Sequence, residues 1–300
     1  MTAERYKLFD LEIGRHVEAA VSWVQINLGD VLDGVALGIG FIISVLEASL
    51  LWVDPLVLAL MVVAVGFWRV GVGFGVFCLV ALFLLVEMGL WRETMSTLAL
   101  VLSASLVALA IGLPLGIAMA RSALVEQIVK PILDFMQTMP PFVYLIPAAI
   151  FFGLGQVPGV IATLVFAMPP AVRLTNLGIR QVSQEHVEAG LAFGCTQRQL
   201  LTRVQLPLAL PSIMQGVNQT IMMALSMVVI ASMIGAGGLG NTVLTGIQRL
   251  SVGLGFEGGL GVVLLAIILD RITQTFGATR GPGLFTRLAR LLVRRPAATG

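Results

Sequence analysis

Charge is what this sequence has least of. Only 11% of its 300 residues are charged, 58% are hydrophobic, and the mean hydropathy is +0.99. A soluble domain of this length carries charge on about a quarter of its residues. The deficit excludes a water-facing surface over most of the chain. It fits a surface bathed in lipid, where each charged side chain costs several kcal/mol. Lysine is nearly absent, with only Lys7 and Lys130. No glycine-rich loop ending in lysine is available to cradle a nucleotide phosphate, so ATP hydrolysis is not expected in this chain. The two histidines, His16 and His186, lack metal-ligand spacing and any partner for nucleophilic chemistry. Cys78 lies in an apolar run and Cys195 in a polar one, too far apart and too unlike to suggest a disulfide or a metal centre. A net charge of +2 gives no reason to expect nucleic acid. An intramembrane enzyme fails for want of a nucleophile–base pair. Met1 to Ala20 is too polar to hold the apolar core of a signal peptide, so the first apolar helices are expected to direct insertion.

What is there is a succession of long apolar segments with short breaks. Membrane helices are predicted at about 55–68, 70–90, 94–120, 132–154, 157–172, 211–236 and 257–277. Two are short. The first lies between Pro55 and Arg69, and the second between Pro158 and the pair Pro169-Pro170. From Ser22 to Glu47, weakly polar residues recur every three or four positions. This predicts an amphipathic helix along the membrane surface, or alternatively an eighth span whose polar face is buried. The basic residues fall in three groups: Arg121 with Lys130; Arg173, Arg180, Arg198 and Arg203; and Arg271 to Arg295. An even number of spans separates them, so all three share one side, which the positive-inside bias makes the cytoplasm. The segment from Gly237 to Glu257, with Arg249 alone, is then an outward loop.

One internal stretch, Arg173 to Pro207, is too polar for lipid and too long for a turn. It reads as two short helices. Ser183 can cap the first, with Glu185 near its positive end. Gly194 ends that helix by a left-handed turn. Thr196-Gln197-Arg198-Gln199 matches a capping box that starts the second helix. Leu206-Pro207 is expected to stop it, with Pro211 in the first turn of the next span. The apolar residues Leu191, Phe193 and Leu200 would then have no lipid to face and are expected to press into a protein partner.

These residues resemble a family. Glu188-Ala189-Gly190, then Gly194, then Val204-Gln205-Leu206-Pro207 is similar to the signature loop of ABC importer membrane subunits, with Gly190 in place of an alanine and Val204 in place of isoleucine. Longer strings, among them Gly112-Leu113-Pro114-Leu115-Gly116, Phe142 to Pro147 and Gly216-Val217-Asn218-Gln219-Thr220, resemble one branch of it. That branch holds the permeases of glycine betaine, proline betaine and choline importers. The resemblance covers about Trp91 to Gln274.

The resemblance implies an all-α, polytopic helix bundle of the type I ABC importer permease fold, with a five-span core, N-terminal spans and a surface helix. It implies residues 1–53 as tail and surface helix, 54–92 as two accessory helices, 93–278 as the permease domain with a coupling elbow at 173–207, and 279–300 as a basic tail. Glu188, Ala189, Gly190, Phe193, Gly194, Leu206 and Pro207 would contact the ATPase. The implied partners are a second permease copy, cytoplasmic ATPase subunits that bind ATP and magnesium, an external substrate-binding protein and membrane lipid. No cofactor is expected in the chain itself. The implied location is the bacterial cytoplasmic membrane.

Other polar groups in the spans are candidates for the route. Met139-Pro140-Pro141-Phe142 must break its helix, and broken helices often line a pathway. Pro140, Tyr144, Asn218, Gln219 and Ser226 are the pathway candidates, with interhelical bonding as the other reading. With only Tyr6 and Tyr144 as tyrosines, and the tryptophans near span ends, an aromatic cage for a quaternary ammonium ion is not expected. Asp134 and Asp270 leave an alternative: an ion- or proton-coupled secondary transporter.

Overall fold

The computed structural model describes residues 13–277, and all regular structure among them is helical. Tyr6, Lys7 and the basic residues Arg280, Arg287, Arg290, Arg294 and Arg295 lie outside the described residues. The helices are α1 Ile13–Trp52, α2 Pro55–Arg69, α3 Val72–Glu87, α4 Trp91–Arg121, α5 Ala123–Thr138, α6 Pro141–Phe152, α7 Gln156–Arg180, α8 Gln184–Ala192, α9 Gln197–Gln199, α10 Leu206–Ser226, α11 Val228–Ser232, α12 Gly238–Gln248 and α13 Val252–Gly277. A π-helical turn, Leu200–Gln205, joins α9 to α10. Among the described residues five helices are long and apolar enough to cross a membrane, and α5 with α6 would make a sixth, bent by 100°.

Lipid-facing helices gain little from hydrophobic burial against one another, because lipid tails are as apolar as leucine. Close packing and interhelical hydrogen bonds must hold them together. The centre of the bundle meets that demand with small residues. A Cβ placed on Gly116 of α4 would lie 2.6 Å from the Val172 carbonyl oxygen of α7. One on Gly112, a turn away, would lie 3.2 Å from Ala171 Cβ. On the other side of α7, Gly178 stands against Ser212 and Gly216 against the Pro170 carbonyl, both across to α10. The glycines therefore let α4 and α10 pack closely against α7, with no room for a Cβ at Gly116 or Gly178. The flanking core follows from this contact, with Val101, Ala167, Ile221, Ala224 and Leu225 all buried in one cluster.

Two expected boundaries change. The span predicted at 157–172 runs on to Arg180, straight through Pro169 and Pro170. The prolines leave the Val165 and Phe166 carbonyls without helical donors. Both prolines are buried in the three-helix contact, which holds the helical path. Arg173 to Arg180 thus belong to the span, and the projecting segment begins at Gln181. Leu206-Pro207 likewise does not stop its helix. Gln197 to Ser232 is one helical run, and the π turn just before Pro207 supplies the extra residue that widens the backbone at the proline ring. The expected break at Pro140 is present, between α5 and α6. The expected outward loop also contains α12, whose Leu239 is fully buried and whose backbone N–H donates to Thr97 Oγ1 at 2.8 Å.

Helix α1 is longer than the Ser22–Glu47 pattern, with a kink at Leu28. Its Ile39 and Ile43 pack on Leu100, Ala104 and Val160. Gln25 Nε2 donates to the Ile150 carbonyl at 2.9 Å, and Gln156 Nε2 donates to Glu47 at 3.1 Å. Gln25 and Glu47 stand about 33 Å apart at 1.5 Å per residue. Their partners flank a single turn, so α1 meets both sides of the turn between α6 and α7.

Gly116→Val should lower the unfolding midpoint in detergent by the equivalent of about 1–3 kcal/mol, the usual cost of overpacking. Gly73→Ala, at a glycine with nothing within 4 Å, should stay within about 0.5 kcal/mol of wild type. Equal midpoints for the two variants would mean that α4 and α7 do not depend on backbone contact.

Candidate functional site

Helix α8 projects where α7 ends. Ser183 occupies its N-cap position, but its hydroxyl meets the His186 ring rather than a backbone N–H. Gly194 has φ of 81°, the left-handed region expected of it. The end is a Schellman motif: Cys195 N–H donates to the Gly190 carbonyl at 3.0 Å and Gly194 N–H to Leu191 at 2.9 Å. Thr196 opens the return through a full capping box, with Gln199 N–H on Thr196 Oγ1 and Thr196 N–H on Gln199 Oε1.

The seven elbow residues divide into two kinds. Glu188, Ala189, Phe193, Gly194 and Pro207 are exposed, and Phe193 is 91% exposed. Gly190 is buried and Leu206 half-buried. Leu200, expected to face a partner, is instead 4% exposed. A Cβ on Gly190 would lie 2.8 Å from Leu200 Cδ1, so this pair closes the inside of the elbow. The reason is the close return of the chain at Gly194, which folds the second helix onto the first. The free apolar surface is therefore Leu191 and Phe193, with Glu188 and Ala189 beside them.

Arg180, the last residue of α7, fixes the base of the elbow. Its Nη2 lies 2.7 Å from Glu126 Oε2 of α5 and 2.9 Å from the Met119 carbonyl of α4, while Nε donates to Asn176. One planar guanidinium thus ties three helices, a geometry that lysine cannot reproduce. Nearby, Arg173 pairs with Asp134, both side chains well exposed. Asp134 is therefore a surface partner of α7 rather than a charge sealed among the spans.

The pathway candidates fall in two places. Pro140 caps α6 at the bend, and Tyr144 OH donates to the Met136 carbonyl at 2.6 Å, meeting an orphan acceptor at the end of α5. Tyr144 also packs beside Met227, the neighbour of Ser226. Asn218 lies about two turns from Ser226, where Nδ2 donates to Asp270 Oδ1 at 2.8 Å. Gln219 and Ser226 are exposed, and so is Gln215, which sequence reasoning passed over. Gln215, Asn218, Gln219 and Ser226 recur at helical spacing, a polar stripe on an otherwise apolar span. That periodicity was the available signal for Gln215.

Comparison with known proteins gives a consistent picture. Residues 112–278 match the family model described as binding-protein-dependent transport system inner membrane component. The chain is 50% identical over 284 residues to the glycine betaine/proline betaine transport system permease protein ProW of Escherichia coli (strain K12), covering 90% of this chain and 80% of that one. It is 54% identical over 242 residues to the glycine betaine/carnitine transport permease protein GbuB of Listeria monocytogenes, covering 79% and 86%. To the glycine betaine transport system permease protein OpuAB of Bacillus subtilis it is 44% identical over 258 residues, covering 86% and 92%. Among solved structures, an inward-facing form of the MetNI methionine ABC transporter superposes with a TM-score of 0.53 at 23% identity, over 71% of this chain and 97% of that one.

Arg180→Ala should cost about 1–2 kcal/mol, since the ion pair is partly solvated. Hydrogen exchange should quicken at residues 181–196, with Arg180→Lys intermediate. Unchanged exchange in both would remove Arg180 as the anchor of the elbow.

Proposed function

The chain belongs to the family of binding-protein-dependent transport system inner membrane components, and on that premise we propose that it carries quaternary ammonium solutes of the glycine betaine class. It is a multi-pass permease subunit of the bacterial cytoplasmic membrane and has the fold of ABC importer membrane subunits. The cargo reading is supported by the relatives: those at 44% identity and above over most of both chains are named as glycine betaine permeases.

The mechanism rests on one observation. An exposed helix bearing Glu188, Ala189, Leu191 and Phe193 returns through Gly194 into a continuous helical run that carries the polar stripe. A cytoplasmic ATPase would seat α8 in a groove, with Phe193 as the apolar anchor. Closure of the paired ATPases would push α8. That push would pass through the π turn into α10, and through Arg180 into α4 and α5. In a pair of permeases, the stripes of the two α10 helices would line the route. An external binding protein would supply ligand capture. ATP and magnesium would be bound by the partner alone.

An ion-coupled secondary transporter is not favoured. Asp134 is paired at the surface, and the family is one whose members work with a binding protein.

The test is uptake by the reconstituted complex. Liposomes holding this chain with its ATPase, and supplied with its binding protein, should accumulate labelled glycine betaine only when ATP is present. Accumulation driven by an ion gradient with this chain alone would reverse the assignment. Gly194→Val should strain the left-handed turn by about 1–2 kcal/mol and detach α8 from the ATPase. Co-purified ATPase should fall at least tenfold while the chain still inserts. Undiminished co-purification would discard the elbow as the docking element.

A further inference from the structure

The polar stripe of α10 ends against α13 in a cleft of about 360 Å³ lined by Pro211, Met214, Gln215, Asn218 and Gln274. Beside it sits Asp270, a carboxylate five turns into an apolar helix. Its Oδ1 accepts from Asn218 Nδ2 and from Gln274 Nε2, each at 2.8 Å. The Thr273 hydroxyl donates to Asn218 Oδ1 and so fixes the amide with its N–H toward the carboxylate. Among the described residues no cation pairs with Asp270. Both bonds, one from α10 and one from within α13, fall on the same oxygen, which leaves Oδ2 without a donor among the described residues. Arg271 is adjacent in sequence and therefore stands about 100° away around the helix. Ionisable groups within a span turn to a bundle interior or a water-filled cavity rather than to hydrocarbon, and here they border the cleft.

We propose that Asp270, held by Asn218 and Thr273, forms a low-affinity station for a small organic cation at the inner end of the pathway. The chemistry is specific. The open carboxylate oxygen would attract a bulky ammonium group, and Met214 would meet its methyl groups. The amide N–H groups of Gln215 and Gln274 would suit a carboxylate at the other end of a zwitterion. The proposal rests on the permease reading and adds to it a ligand-contacting group within the membrane subunit.

Asp270→Asn keeps the shape and an acceptor for Asn218 but removes the charge. In the reconstituted complex, uptake of glycine betaine should fall at least tenfold, with ATPase association and unfolding midpoint unchanged, and Asp270→Glu should recover part of it. Wild-type uptake by Asp270→Asn would make the carboxylate a clamp between helices and overturn the proposal. A second measurement does not depend on that variant. In a Cys195→Ser background, which removes the half-exposed thiol, Gln215→Cys should react with a charged, membrane-impermeant thiol reagent. Tetramethylammonium should slow the reaction in the complex without its binding protein. No reaction, or no protection, also overturns the proposal. If the wild-type complex moves no quaternary ammonium solute at all, the cargo reading fails instead, and the two failures are distinct.

Discussion

Backbone contact along one face of α7 is the constraint on which the rest of the molecule depends. In lipid, helices hold together only as well as their surfaces interlock. Gly112 and Gly116 from one side and Gly216 from the other let α4 and α10 reach the main chain of α7 around its proline pair. That contact does two things. It carries α7 through Pro169 and Pro170 without a break, and it brings Arg180 to the end of α4, where the guanidinium can close on the Met119 carbonyl. Were these glycines larger, the spans would separate and the elbow would lose its base. The position of the elbow is thus decided in the middle of the helix bundle.

The elbow follows a different logic. Its shape is local, set by a Schellman end, a capping box and a glycine in the left-handed region. Such motifs stabilise by about 1 kcal/mol each and need no tertiary help. A segment built in this way keeps its form while presenting apolar groups to water. This suits a surface that must meet a partner repeatedly without refolding.

Much of this was legible in the chain, and the limits have physical causes. Gly194, the Thr196–Gln199 box and the break at Pro140 are short-range signals, and short-range rules found them. The prolines at 169, 170 and 207 read locally as stops, but a proline's penalty is weighed against neighbours that the local sequence does not contain. The burial of Leu200 has no local mark, because the fold-back that covers it depends on the turn at Gly194 bringing two helices together. Helix α12 was missed for a similar reason. Its glycines read as loop, whereas in the bundle they allow close approach, as where Gly240 meets the Val228 carbonyl. The pairing of Asn218 with Asp270 joins residues 52 positions apart and carries no local mark.

The run from Gln197 to Ser232 has a mechanical consequence. It counts 36 residues and is about 54 Å long, well beyond the roughly 30 Å of hydrocarbon it crosses. Its lower end is gripped where α8 would meet the ATPase, and its middle is pinned at Gly216 against α7. Such a rod could work as a first-class lever with its fulcrum at Gly216, near the middle of its own length. A rotation of about 5° moves each end by about 2 Å in opposite senses, with an arm of half the helix length. A push inward at the elbow therefore becomes a displacement outward beyond Ser226, where the span meets α6 and α12. One helix, without any change in its own conformation, can open one side of the membrane as it closes the other.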